Sequence, residues 1–324
     1  MTPEPAFPVR LVALDLDGTL ILEDFALGER TKRAVRAALD RGVVVAIATG
    51  RMASSARRFA VELGLAAPLI AYQGALIREM WAEGSGPGAA VKPAAHTGHR
   101  DRARSRAREG FDPSVGDRPT GDGSDRQEPL GRIRVHTPLA ADLAREVVVW
   151  AREQGLDPHV NHLERFILRA DDPNAEDYSR FLGARAELVP DLLAAIAQPV
   201  TKIIAWGGDV ATLAALAAGR ERFAGRVTVT MSHPHYLEFL APGVSKGRAV
   251  RWLARRSGVP LGQAMAIGDQ HNDLEMLTAV GHGVAMPTAP AEVLAVARYV
   301  APPVGEEGAA QMIERLVLDG SAGR

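Results

Sequence analysis

Cysteine is absent from the 324-residue chain. That rules out a disulfide framework and a thiolate zinc site. No apolar run approaches the roughly 18 residues that a membrane-spanning helix needs, and Met1–Arg10 lacks a secretory apolar core. A soluble, cytoplasmic protein is therefore the expectation. An excess of charge of either sign is also missing, since the formal net charge is −1. Nothing in that balance points to a nucleic acid or a membrane surface as partner. Lysine is scarce, occurring at Lys32, Lys92, Lys202 and Lys246. In a chain so biased to arginine, a lysine beside a chemical motif is informative.

The chain is rich instead in short apolar runs that alternate with amphipathic ones. Val9–Leu14, Val43–Ala48 and Leu69–Tyr72 suit buried strands, and Thr31–Arg41 and Ser54–Leu63 suit helices. The alternation resumes after Lys246, with strands at Ala264–Ile267, Val284–Met286 and Tyr299–Val300. Helices are expected to Ser257, near Asn272–Ala279, at Pro290–Ala297 and at Ala309–Leu318. This order predicts an α/β protein with a doubly wound parallel sheet. Both ends of the chain (1–79 and 241–324) build one Rossmann-like core. Residues 80–240 read as an inserted α+β unit, with strands at Ile133–His136, Asp157–Val160, Arg165–Leu168, Val200–Trp206, Val227–Met231 and Tyr236–Leu240. Helices are expected there at Leu139–Gln154 and Val210–Phe223. Within it, 84–131 is rich in Gly, Pro, Arg and Asp and poor in large apolar residues, as a loosely ordered insertion would be. Arg100, Arg102, Arg104, Arg106 and Arg108 invite a nucleic-acid reading. Asp101, Glu109, Asp112 and Asp117 among them favour a solvated linker.

Three short polar motifs follow strand-like runs, where open α/β sheets place their chemistry. The first is Asp15-Leu16-Asp17-Gly18-Thr19. Gly18 permits a sharp turn, so Asp15 can sit at the sheet tip as a nucleophile toward phosphorus. Asp17 can protonate the leaving oxygen and later accept a proton from water. Read alone, Asp-Gly-Thr is also an ordinary turn. The second is Thr49-Gly50-Arg51, where a hydroxyl and a free backbone N–H could hold phosphoryl oxygens. An ordinary Thr helix cap explains the same residues. The third is Gly268-Asp269-Gln270-His271-Asn272-Asp273. Asp269 and Asp273 with Asp15 make an oxygen-only cluster suited to Mg2+, although Asn272 or Asp273 could simply cap a helix. His271 reads as a neighbour of that cluster rather than a ligand. Between the second and third lies Ser245-Lys246-Gly247, with Ser245 as the expected N-cap. A cation at a helix N-terminus is disfavoured, so anions are expected near Lys246. There it would neutralise Asp15 and the phosphoryl oxygens. Lys202 falls in a strand of the insert, which points to a structural or substrate-side role.

Taken together and in this order, the motifs resemble those of the haloacid dehalogenase (HAD) superfamily of phosphohydrolases. Ala71-Tyr72-Gln73-Gly74-Ala75-Leu76, Tyr236-Leu237-Glu238, Pro242–Gly247 and Gly283-Val284-Ala285-Met286 resemble its Cof-type subgroup, which carries an α/β cap where the insert falls here. The resemblance spans nearly the whole chain outside 84–131. It implies a Mg2+-dependent phosphatase that acts on small phosphorylated metabolites, sugar phosphates among them, through an aspartyl-phosphate. Asp15 would be the nucleophile, Asp17 the general acid/base and Lys246 the charge clamp. Thr49, Gly50, Arg51, Gln73 and Asn272 would lie at the phosphoryl or substrate site. Asp15, the Asp17 carbonyl and Asp269 would hold Mg2+, with Asp273 in the same cluster. Two positions depart from the family pattern. Gln73 stands where relatives often carry Asn, and Met286-Pro287-Thr288 replaces Met-Gly-Asn, so that Pro287 removes a backbone donor. A phosphomutase on the same fold and a phosphoacceptor regulatory module are the competing readings. Asp17 argues against the second, because a general base shortens the life of a phospho-enzyme. In the insert, the candidate substrate-side residues His159, Asn161, His162, Glu164 and Arg165 gather at a turn between strands, which could point at the site or simply be a polar hairpin, the hairpin being the favoured reading. Oligomeric state is not legible.

Overall fold

A computed structural model describes residues 8–21, 26–81, 130–172, 175–182 and 185–319. The 84–131 insertion, apart from Leu130 and Gly131, lies outside the described residues, as do the arginines within it. In chain order the strands are β1 (Leu11–Leu14), β2 (Val44–Ile47), β3 (Leu69–Ala71), β4 (Leu76–Arg78), β5 (Ile133–His136), β6 (Asp157–His162) and β7 (Arg165–Arg169). They continue as β8 (Glu187–Val189), β9 (Lys202–Trp206), β10 (Thr228–His233), β11 (Tyr236–Leu240), β12 (Ala264–Gly268), β13 (His282–Ala285) and β14 (Tyr299–Val300).

The first sheet runs β14-β13-β12-β1-β2, and every pair in it is parallel. Segments from the two ends of the chain are thus hydrogen-bonded neighbours, with Leu14 beside Ile267 and Ile47. Alternate side chains in a strand face opposite ways, and both faces of this sheet are covered. Val12, Leu14, Val45, Ile47, Met265 and Ile267 pack under helices Glu29–Asp40, Ala53–Glu62 and Gly308–Ile313. Leu11, Ala13, Ala46, Ala264 and Ala266 pack under Lys246–Arg256 and Leu274–Ala279. Strands buried on both faces are near-continuous apolar runs, and Leu11–Leu14 and Ala264–Ile267 read that way.

The second sheet, β10-β11-β9-β6-β7-β8, is antiparallel except for β7 with β8. One face carries Val160, Ile203, Ala205, Leu237 and Phe239 against helices Ala141–Glu153 and Asp209–Arg222. By the same alternation the opposite face presents His159, Asn161, Lys202, Ile204 and Glu238, and it looks toward the first sheet. A three-stranded antiparallel sheet, β3-β4-β5, joins the two. It extends the parallel sheet through an isolated bridge between Ala48 and Ile70.

Several short elements are additions to the sequence reading: β4, β8 and helices Ala175–Leu182 and Leu192–Ala195. β4, β8 and Leu192–Ala195 have three or four residues, too short to show a period, whereas the eight-residue Ala175–Leu182 simply has no counterpart among the helices expected from sequence. β3 also pairs antiparallel with β4, because the tight turn at Tyr72–Gly74 sends the chain straight back. Its Tyr72 and Gln73 hold φ of 51° and 58°. Among the described residues no helix is long and apolar enough to cross a membrane.

Candidate active site

The carboxyl ends of β1, β2 and β12 meet at one edge of the parallel sheet, and the polar motifs lie there. Asp15 follows β1, its amide donating to the carbonyl of Ile267 (3.0 Å). The next residues form a tight turn in which Leu16 O accepts from the amides of Thr19, Leu20 and Ile21. Gly18 sits in that turn at φ +76°, and a Cβ there would lie 2.4 Å from Asp269 Oδ2. Only glycine permits both the conformation and the approach. Thr19 Oγ1 then donates to Asp269 Oδ1 (3.1 Å), tying the first motif to the last.

Lys246 is the first residue of helix Lys246–Arg256, and Ser245 is its N-cap, accepting from the Arg248 amide (3.0 Å). The ammonium is fully buried and donates to Asp15 Oδ1 and Asp273 Oδ1, each at 2.6 Å. These carboxylates offset the unfavourable helix-end position. Burial opposes its charge, but Asp15 and Asp273 outweigh that and push the Lys246 pKa up. Asp273 Oδ2 accepts from the amides of Asp269 (3.0 Å) and Gln270 (3.1 Å), so Asp273 both anchors Lys246 and shapes the loop.

Oxygens of Asp15, Asp269 and Asp273 lie within 4.8 Å of one another. Burial, with the charges of neighbouring carboxylates behind it, raises Asp15 well above the usual carboxylate range and pushes Asp269 up to about 7. Three carboxylates against one ammonium leave two negative charges when all are ionised. A divalent cation cancels that number, and an all-oxygen donor set suits a hard ion. The residues present therefore fit Mg2+.

Arg51 holds Asp17 in a two-point ion pair, Nε to Oδ2 at 2.8 Å and Nη2 to Oδ1 at 2.5 Å. Such a fork fixes the plane of the carboxylate as well as its position. Thr49 is fully buried, and its Oγ1 accepts from the Arg51 amide (3.1 Å). Its hydroxyl therefore shapes the loop that carries Arg51. Asn272 Nδ2 donates to Gln73 Oε1 (2.9 Å), and Gln73 Nε2 donates onward to Glu238 Oε2 (2.9 Å). Gln73 thus bridges the loop after β12 to the insert. A Cβ on Gly50 would fall 2.4 Å from Gln73 Nε2. Lys202 Nζ donates to Glu238 Oε2 (2.9 Å) and to the carbonyl of Gly50 (2.8 Å).

Lys202 and Glu238 enter the site from β9 and β11, and the motif reading missed Glu238 as a site residue. The available signal was a lone charged residue at an inward position in each otherwise apolar strand. β6 pairs antiparallel with β7 as a hairpin around residues 159–165 requires, but His159 and Asn161 are buried and His159 lines the cavity, so its β6 side faces the site rather than solvent. The hairpin turn reaches the first domain, where Glu164 accepts from the Ser54 amide and from Arg78, both at 3.1 Å. His271 Nδ1 lies 2.6 Å from Gln270 Oε1, a partner that lies outside the carboxylate cluster.

A cavity of about 430 Å³ opens over these groups. Asp15, Asp17, Gly50, Arg51 and Asn272 line it from one side, and side chains of the second sheet line it from the other.

A model of the haloacid dehalogenase-like hydrolase family matches residues 12–84 and 127–313. The HMP-PP phosphatase of Cronobacter sakazakii is 27% identical over 286 residues, covering 88% of this chain and 87% of that protein. The 5-amino-6-(5-phospho-D-ribitylamino)uracil phosphatase YwtE of Bacillus subtilis is 24% identical, with 95% of this chain and 98% of that protein covered. Among solved structures, a haloacid dehalogenase-like hydrolase from Bacteroides thetaiotaomicron superposes with a TM-score of 0.68 at 22% identity, over 95% of this chain and 99% of that one. A HAD/COF-like hydrolase from Plasmodium vivax gives 0.74 at 16% identity, over 97% of each chain. These structures share the fold.

Proposed function

The chain belongs to the haloacid dehalogenase-like hydrolases of the Cof type, and from that premise we propose that it is a Mg2+-dependent phosphatase of small phosphorylated metabolites, working through an aspartyl-phosphate on Asp15. The named phosphatases among its relatives support the reaction class. One observation carries the residue assignment: Lys246 Nζ stands 2.6 Å from Asp15 while Thr19 and Gly18 bring Asp269 to the same point.

The described part of residues 80–240 serves as a cap whose inner face closes the cavity. Asp15, the Asp17 carbonyl and Asp269 would hold the Mg2+, with Asp273 positioning Lys246 and the loop amides. When bound, the ion offsets the repulsion between carboxylate and phosphate. An oxygen of Asp15 attacks phosphorus, and the bond to the leaving oxygen breaks as Asp17 delivers a proton to it. Arg51 places the Asp17 carboxyl at the cavity wall, and one of its two contacts must open while Asp17 carries the proton. Asp17 then takes a proton from water, which attacks phosphorus and frees Asp15. Lys246 stabilises negative charge on Asp15 and the phosphoryl oxygens, and in a buried site it needs no reorganisation to do so.

The test is phosphate release from generic phosphoesters with Mg2+, with EDTA, and with Asp15→Asn. Release is expected to stop in the last two. Turnover that survives Asp15→Asn refutes the assignment.

A further inference from the structure

The cap carries a second group of ligating side chains, built from residues other than the catalytic carboxylates. Asp157 and His159 are alternate residues of β6 and so share a face of the sheet. Asp172 arrives three residues after the end of β7. One ligating atom from each of the three lies within 4.8 Å of the others.

His159 is the telling member. Its side chain is 1% exposed, and neither ring nitrogen has a hydrogen-bond partner. Buried polar groups in folded proteins are rarely left unmet. Nε2 is aimed at Asp172 Oδ2, 3.7 Å away. That is too long for a hydrogen bond. Donors about 2.0–2.2 Å from a tetrahedral ion, however, stand roughly 3.3–3.6 Å apart. The observed gap is therefore close to the edge of such a tetrahedron. Burial pushes the His159 pKa down to about 3, so the ring is neutral, the form that binds a metal. Burial, and then Asp172, raise the Asp157 pKa to about 6, against the pull of Arg169 and Arg152. At higher pH two carboxylates face each other, and a divalent ion cancels their charge.

We propose that Asp157, His159 and Asp172 form a structural site in the cap for a divalent transition metal of the Zn2+ class. The donor set separates it from the core cluster. Three carboxylates suit a hard ion such as Mg2+, whereas an imidazole nitrogen with two carboxylates suits Zn2+ and its neighbours. Asp157 is only half-buried, which gives the ion a way in. Once bound, the ion pins Asp172 to β6. Asp172 lies just before helix Ala175–Leu182, which carries Tyr178 of the cavity lining. The metal thus fixes one wall of the cavity without entering the chemistry at Asp15.

The experiment uses the whole chain, stripped with EDTA and returned to saturating Mg2+, with Zn2+ as the probe. Equilibrium dialysis with metal analysis counts the bound ion, and melting curves read its effect on stability. Asp269→Asn, run beside the parent, removes the core cluster from the count. One Zn2+ per chain is expected to remain in it. His159→Phe keeps the ring packing and removes both nitrogens. Asp157→Asn resembles the protonated carboxyl and carries the test should His159→Phe fail to fold. Made in the Asp269→Asn background, each should weaken Zn2+ binding at least about a hundredfold, beyond the loss of an outer-shell partner. The rise in melting temperature that Zn2+ brings should disappear with it. Co2+ in place of Zn2+ should give the visible absorption of a four-coordinate site, lost in the same variants. Absence of Zn2+ from Asp269→Asn, or binding that neither His159→Phe nor Asp157→Asn weakens, overturns the proposal. Phosphate release by the parent in Mg2+ alone tests the phosphatase reading separately, so either can fail without the other.

Discussion

Replacing Lys246 by Met keeps the length of the side chain and removes its charge. The ammonium is fully buried and contacts two carboxylates at 2.6 Å. At an effective dielectric near 20, each contact carries about 6 kcal/mol of gross attraction. Desolvation of all three groups cancels most of it. What the substitution exposes is the cost of leaving Asp15 and Asp273 buried without a counter-charge, roughly 3–5 kcal/mol for a broken buried pair. At about 2–4 °C per kcal/mol, the melting temperature in EDTA should fall by roughly 6–20 °C. Added Mg2+ should restore part of that loss, because the cluster then holds three carboxylates and no fixed cation. Phosphate release at saturating Mg2+, measured below the melting range, should still drop about a hundred- to a thousandfold. Melting curves in EDTA and Mg2+ beside initial rates test each part. A variant that melts within about 2 °C of the parent and turns over at a similar rate would refute the claim that Lys246 neutralises this cluster.

Arg51→Lys keeps the charge but loses the two-point grip on Asp17, so kcat should fall roughly ten- to a hundredfold; an unchanged kcat would remove Arg51 from the positioning of the proton donor. Asp157 provides a pH test of the cap. Burial first, then the neighbouring Asp172, raise its pKa from 3.8 to about 6. Folded protein thus keeps this proton where unfolded chain has lost it. The stability it contributes is full below about pH 4 and lost as pH rises through about 6. Asp157→Asn should therefore gain melting temperature relative to the parent at about pH 7.5 compared with about pH 4, and an equal difference at both would contradict that sign.

Much of the core was legible because its signals are local. The apolar runs before Asp15, Thr49 and Gly268 became β1, β2 and β12, and Ser245 caps its helix as a Ser before a helical run should. Longer strands of the insert were legible for the same reason. Elements of three or four residues, such as β8 and Leu192–Ala195, were not, since they carry less than one full repeat of any pattern. Gln73 could be flagged as unusual, but its double duty toward Asn272 and Glu238 depends on partners 199 and 165 residues away.

The order of motifs along the chain determined the reaction class and the core topology, because residue type and strand-helix alternation are properties of neighbours in sequence. Whether Asp17 would stand free or be gripped by Arg51, and whether Asp273 would spend its oxygens on Lys246 and two loop amides, was decided only by folding. The same holds for the ring contacts that join Phe166, Tyr178 and Tyr236, which sit on three separate elements. Hydrogen bonds and ring contacts act over a few ångströms in space, and those distances exist only once the two sheets have closed on one another.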